Sequence, residues 1–131
     1  MSNQRHEDAR RRIELTEQAG RAEAERAQLM IDDFIQRAGQ QGIAPEPLRA
    51  TLMGGGQAKT DKQGWYLRKN QSIAIGTDGG YYVLTVPGST LSRFTGVKLQ
   101  PTPPPLQVGR GGRDGETGDL REFLDWRLEA G

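Results

Sequence analysis

Apolar and polar positions follow two different periods along the chain. Over residues 22–38, Ala27, Met30, Ile31, Phe34, Ile35 and Ala38 recur three and four residues apart, a spacing that gathers them on one face of a helix. Gly39 and Gly42 supply its stop, because glycine enters the left-handed conformation that ends helices at little cost. Upstream, Ala9, Ile13, Leu15, Ala19 and Ala22 make a thinner stripe, interrupted by Gly20 at a cost of about 1 kcal/mol relative to alanine. Glu7 with Arg11, Asp8 with Arg12 and Glu17 with Arg21 stand four apart and favour helix by a few tenths of a kcal/mol each, too little to fix one without packing. Residues 1–20 therefore read as a charged segment, helical yet frayed or else disordered, ahead of a single domain spanning 21–131.

The run Leu48 to Met53, with Pro47 at the first helical position, predicts a short helix over 47–53 that Gly54-Gly55-Gly56 ends. Beyond it the pattern shortens. Strands are predicted near 65–68, 72–76, 81–86 and 94–99, each bounded by turn residues. Asp78-Gly79 is the strongest turn signal, since a tight hairpin needs positive φ at its centre, and Lys69-Asn70 turns the preceding pair. Pro101-Thr102-Pro103-Pro104-Pro105 is held extended by its prolines, and Leu106 to Val108 adds a short edge strand. After a glycine-rich loop over 109–119, Asp119-Leu120-Arg121-Glu122 has the capping-box arrangement and opens a helix over 120–129. Leu120, Phe123, Leu124 and Leu128 share one face of that helix, with Trp126 at the margin. The elements add up to an α+β fold: an amphipathic N-terminal helix, an antiparallel β-meander of three to five strands, and a C-terminal helix packed on the sheet.

Composition narrows the function classes. With 131 residues, 34% of them hydrophobic, and 18 glycines, the chain has material for one domain with a modest core. No apolar run is long enough to span a membrane and the first residues are charged, so a cytoplasmic protein without a membrane partner is expected. The absence of cysteine excludes disulfides, thiolate zinc sites and a cysteine nucleophile. The single histidine, His6, lies in the charged opening segment, which removes serine and cysteine hydrolase machinery. A noncatalytic protein with no cofactor and no metal is the expectation.

Three features carry ligand chemistry. In the loop over 109–119, Arg110 and Arg113 precede a helix N-terminus, a layout that suits an anion. The loop lacks the lysine of a nucleotide-binding P-loop, and Asp114, Glu116 and Asp119 repel phosphate unless a divalent cation intervenes; a plain surface connection accounts for it as well. The prolines after Lys98 match the Lys-x-x-Pro-x-x-Pro spacing of polyproline ligands, but a rigid spacer explains them equally. Charge is the third feature. Residues 1–48 hold 7 basic and 9 acidic side chains, residues 49–113 hold 9 and 2, and residues 114–131 hold 2 and 6, so a net charge of +1 conceals an acidic, basic, acidic order.

The leading expectation is a protein–protein interaction or accessory module that uses its N-terminal helix, through Met30, Ile31, Phe34 and Ile35, against a second copy or another protein. The alternative is single-stranded nucleic-acid binding on the basic meander, with Arg68, Lys69 and Tyr81 joined by Arg110 and Arg113. The third is anion or divalent-cation binding at the loop over 109–119.

Overall fold

The computed structural model of the chain describes residues 2–88, 90–109 and 118–131. Its order is α1 (Ser2–Gln40), β1 (Glu46–Leu52), β2 (Gln57–Tyr66), β3 (Ile73–Gly76), β4 (Tyr81–Val83), β5 (Thr85–Val86), α2 (Thr90–Thr95), β6 (Gln107–Val108), β7 (Gly118–Asp119) and α3 (Leu120–Ala130). The fold is α+β, with α3 packed on the sheet and a long α1. No helix among the described residues is long and apolar enough to cross a membrane.

The five main strands lie in the order β4-β3-β2-β1-β5. The first three pairings, β1–β2, β2–β3 and β3–β4, are antiparallel, while β5 returns to lie parallel to β1. The meander is thus present, with a parallel addition. The outermost strands β4 and β5 are neighbours in sequence, with Leu84 between them. The Leu84 amide donates to the Ser72 carbonyl at 2.8 Å, and its carbonyl accepts from the Thr51 amide at 2.7 Å, so the sheet rolls up and its two ends meet at this residue.

Rolling gives the sheet an inner and an outer face, and strand alternation distributes side chains between them. Leu48, Tyr66, Ala74, Tyr82, Leu84 and Leu99 form the inner cluster. Trp65, Leu67, Ile73, Ile75 and Tyr81 lie on the outer face and pack with Ala27, Ile31, Phe34 and Ala38 of α1, with Val108, and with Leu120 and Leu124 of α3. The ring of Phe34 meets that of Trp65 edge-on at 5.6 Å, and the Trp65 indole donates to the Ile43 carbonyl at 2.9 Å. The end of α1 is closed by Gly42 at φ +70°, and the Ile43 amide reaches back to the Ala38 carbonyl at 2.9 Å.

Three expectations are corrected. Residues 47–53 form strand β1 and its turn, because Leu48, Ala50 and Leu52 alternate into the barrel and pairing with β2 overrides the helix preference of this run. Residues 94–99 are not a strand: α2 runs to Thr95, Gly96 takes φ +81°, and only Val97 bridges to Thr60. The predicted cap at Asp119 is also absent as a side-chain bond; its carboxylate accepts instead from the Gln107 amide nitrogen across β6 and β7. The segment before residue 22, where helix is one of the readings, continues α1 without a break.

Candidate functional site

The largest surface left open by this architecture is on α1. A helix of 39 residues is about 58 Å long, and only its last third, from Ala27 onward, is locked to the body. Residues 4–22 are exposed on every side, and Glu23 and Ala24 are half-buried where the helix reaches the sheet. Ile13 and Leu15, each 58% exposed, stand in this free half. The Thr16 hydroxyl donates to the Arg12 carbonyl at 2.8 Å, so its polar atom is already satisfied.

Ile31 and Phe34, expected as partner-binding residues, are instead fully buried core residues, and Met30 and Ile35 are half-buried against the same cluster. Met30 and Phe34 also line a cleft of about 160 Å³ between α1 and α3. The apolar stripe of residues 27–38 is therefore used by the chain's own core.

A second open feature is a groove of about 540 Å³ beneath the proline strap, which brings Arg68 and Tyr81 together with Glu23, Ile73 and Pro103. Arg68 is 4% exposed; its Nη1 donates to the Ser72 hydroxyl at 3.1 Å, and its guanidinium lies 5.8 Å from the centre of the Phe123 ring. Burial pushes the Tyr81 phenol up to about 12, against the opposing pull of the Arg68 cation. Tyr81 is anchored at the backbone, where its carbonyl accepts from the Thr102 amide at 2.9 Å. Lys69 is exposed in the turn between β2 and β3. Arg110 and Arg113, with Asp114 and Glu116, lie outside the described residues.

A polar cluster closes one end of the barrel. The Tyr82 hydroxyl donates to Asp78 at 2.5 Å, the Lys62 ammonium stands 3.8 Å from the same carboxylate and 3.6 Å from Asp61, and the Leu99 amide donates to Asp61 at 2.9 Å. Burial raises the Tyr82 phenol above its ordinary range, and the bond to Asp78 raises it further. Partial burial alone would lift the Asp78 carboxyl, but hydrogen bonds from Tyr82 and the Gly80 amide, with Lys62 nearby, hold it below the usual carboxylate range. The Leu99 amide does the same for Asp61. These bonds tie the β3–β4 turn and the residue-99 segment to β2, a structural duty. Among the described residues, no group of three or more acidic or histidine side chains is placed to hold a metal ion.

The basic residues of the middle segment divide. Arg49 and Lys59 are register partners on β1 and β2, Lys59 shares a cavity of about 470 Å³ with Lys98, and Arg93 lies over Gly56. Leu91 and Phe94 of α2 are exposed beside them, Phe94 at 83%. The sheet aromatics Trp65, Tyr66, Tyr81 and Tyr82 are all buried, so the predicted stacking platform on the sheet is not open. Sequence reasoning missed α2 as a surface, although Phe94 between Arg93 and Thr95 was visible as an aromatic beside a cation. No protein-family model, curated protein or solved structure matches the chain.

Proposed function

We propose that the chain is a noncatalytic interaction module whose docking element is the first half of α1. The observation that carries this reading is the contrast along one helix: residues 27–38 bury Ala27, Ile31, Phe34 and Ala38, while residues 4–22 are all exposed. Most helical stability in proteins comes from packing an amphipathic face, which this segment lacks, so helical order there gains from a surface that covers it. The docking residues in this reading are Ile13 and Leu15 with the charges around them, in place of Met30, Ile31, Phe34 and Ile35. Affinity capture with the full chain and with an Ile13→Glu/Leu15→Glu variant tests it. Partners retained by the parent chain and lost by the variant are expected; identical capture by both would overturn it.

A second reading, single-stranded nucleic-acid binding, is favoured by one observation: Arg49, Lys59, Arg93 and Lys98 gather around α2, where Phe94 is available to stack on a base. Titration with a labelled oligonucleotide at low and high salt decides it. Binding that weakens with salt and falls on Phe94→Ala is the expected result, and no binding at low salt excludes it.

A further inference from the structure

We infer that the free half of α1 pairs with the same segment of a second copy of this chain, in antiparallel orientation; this rests on the docking role proposed for α1. Charge along the exposed segment is segregated. Residues 4–12 carry Arg5, Arg10, Arg11 and Arg12 against Glu7 and Asp8, whereas residues 13–25 carry Glu14, Glu17, Glu23 and Glu25 against Arg21. A parallel pair in register would set Arg10, Arg11 and Arg12 against themselves and Glu14 and Glu17 against themselves. An antiparallel pair lays the basic segment of each copy along the acidic segment of the other.

The apolar positions select the register. Ala9, Ile13, Thr16 and Gly20 are spaced four, three and four apart, the heptad seam of a coiled coil. Placing Ala9 opposite Gly20 and Ile13 opposite Thr16 brings, on the flanks that two antiparallel helices share, Arg5 to Glu23 and Arg10 to Glu17, each contact occurring twice by symmetry. None of the pairs within the helix competes strongly: among the described residues, Glu7–Arg11, Asp8–Arg12 and Glu17–Arg21 do not close to ion pairs, the only one on α1 being Arg37 with Asp33. Gly20 fits the same scheme. A Cβ there would meet nothing within 4 Å, so the chain's own packing does not ask for glycine, whereas a neighbouring helix seated at Ala9 approaches most closely where a side chain is missing.

The cysteine-free background allows a direct test on the purified full chain. Mass is measured by light scattering for the parent, for Arg5→Glu/Arg10→Glu, for Glu17→Arg/Glu23→Arg, and for an equal mixture of the two variants. Doubled mass for the parent, monomers for each variant alone and doubled mass restored in the mixture are expected, because only unlike variants then present opposite charges. Orientation is read by oxidising Ala9→Cys and Gly20→Cys chains: mixed disulfides between the two support the pairing, and Ala9→Cys linked to itself overturns it. A parent chain that stays monomeric also overturns it, while loss of captured partners in the Ile13→Glu/Leu15→Glu variant would still uphold the docking role of α1. Near-ultraviolet signals from Trp65 and Trp126 check that each variant keeps the folded body.

Discussion

Residue by residue, the tightest constraint in the barrel is Gly64. It sits opposite Gly76 in the β2–β3 register, and a Cβ at Gly64 would lie 1.9 Å from the Ile75 carbonyl oxygen, with backbone on every side of the contact. Gly64→Ala therefore forces the strands apart and is expected to cost about 3 kcal/mol, read as a lowered denaturant midpoint. The Tyr82–Asp78 bond makes a different prediction. Tyr82→Phe should lose about 1.5 kcal/mol at neutral pH, the worth of a hydrogen bond to a charged acceptor. Because burial raises the folded phenol above its ordinary value of 10.0, its contribution is complete below that pH and is lost as pH rises toward the folded value. The gap between parent and variant in urea midpoint should accordingly narrow above pH 10.0, whereas an unchanged gap would show that the phenol is not shielded.

Among the elements, α1 divides into a part that builds the body and a part that does not. Phe34→Ala empties the edge-on contact with Trp65 and should cost about 3–5 kcal/mol, seen as a large drop in melting temperature. Removing residues 1–22 should leave the melting temperature of the body almost unchanged, since the described side chains of that segment contact no core residue. The same division explains what was legible in the sequence. The stripe Ala27 to Ala38 and the face Leu120, Phe123, Leu124 predicted both packed helices, because each is amphipathic with one period. Asp78-Gly79 likewise predicted the β3–β4 turn, where Gly79 takes φ +85°. Strand β1 escaped because Leu48 and Leu52 satisfy a helical spacing as well as alternation, and the first part of β2, Gln57 to Gln63, escaped because its inward positions Thr60 and Lys62 are polar too, leaving no apolar alternation. Of the candidate site, Arg68 and Tyr81 are named singly from residue type; the groove that brings them together and their burial depend on the proline strap and α3, long-range packing that local pattern does not encode.

For the molecule as a whole, the long projecting helix bears on hydrodynamics and, in the pairing proposed above, on association. A helix of about 58 Å exceeds the span of a compact domain of this mass, so deleting residues 1–22 should reduce the Stokes radius by more than the lost mass accounts for, as measured by sedimentation velocity. Self-pairing through exposed charges should weaken at high salt, because screening acts fully on groups in water. The meeting of β4 and β5 at Leu84 has a bearing on both. A sheet that ends on itself has few backbone groups left to pair: Val97 takes the Lys59 carbonyl and Thr102 takes that of Tyr81, so even the flanks of β2 and β4 are partly occupied. Among the described residues this shortens the edge of the five-stranded sheet on which an extended peptide or a second copy could add a strand. A glycine-rich chain with a small core thereby presents less unpaired backbone to edge-to-edge aggregation.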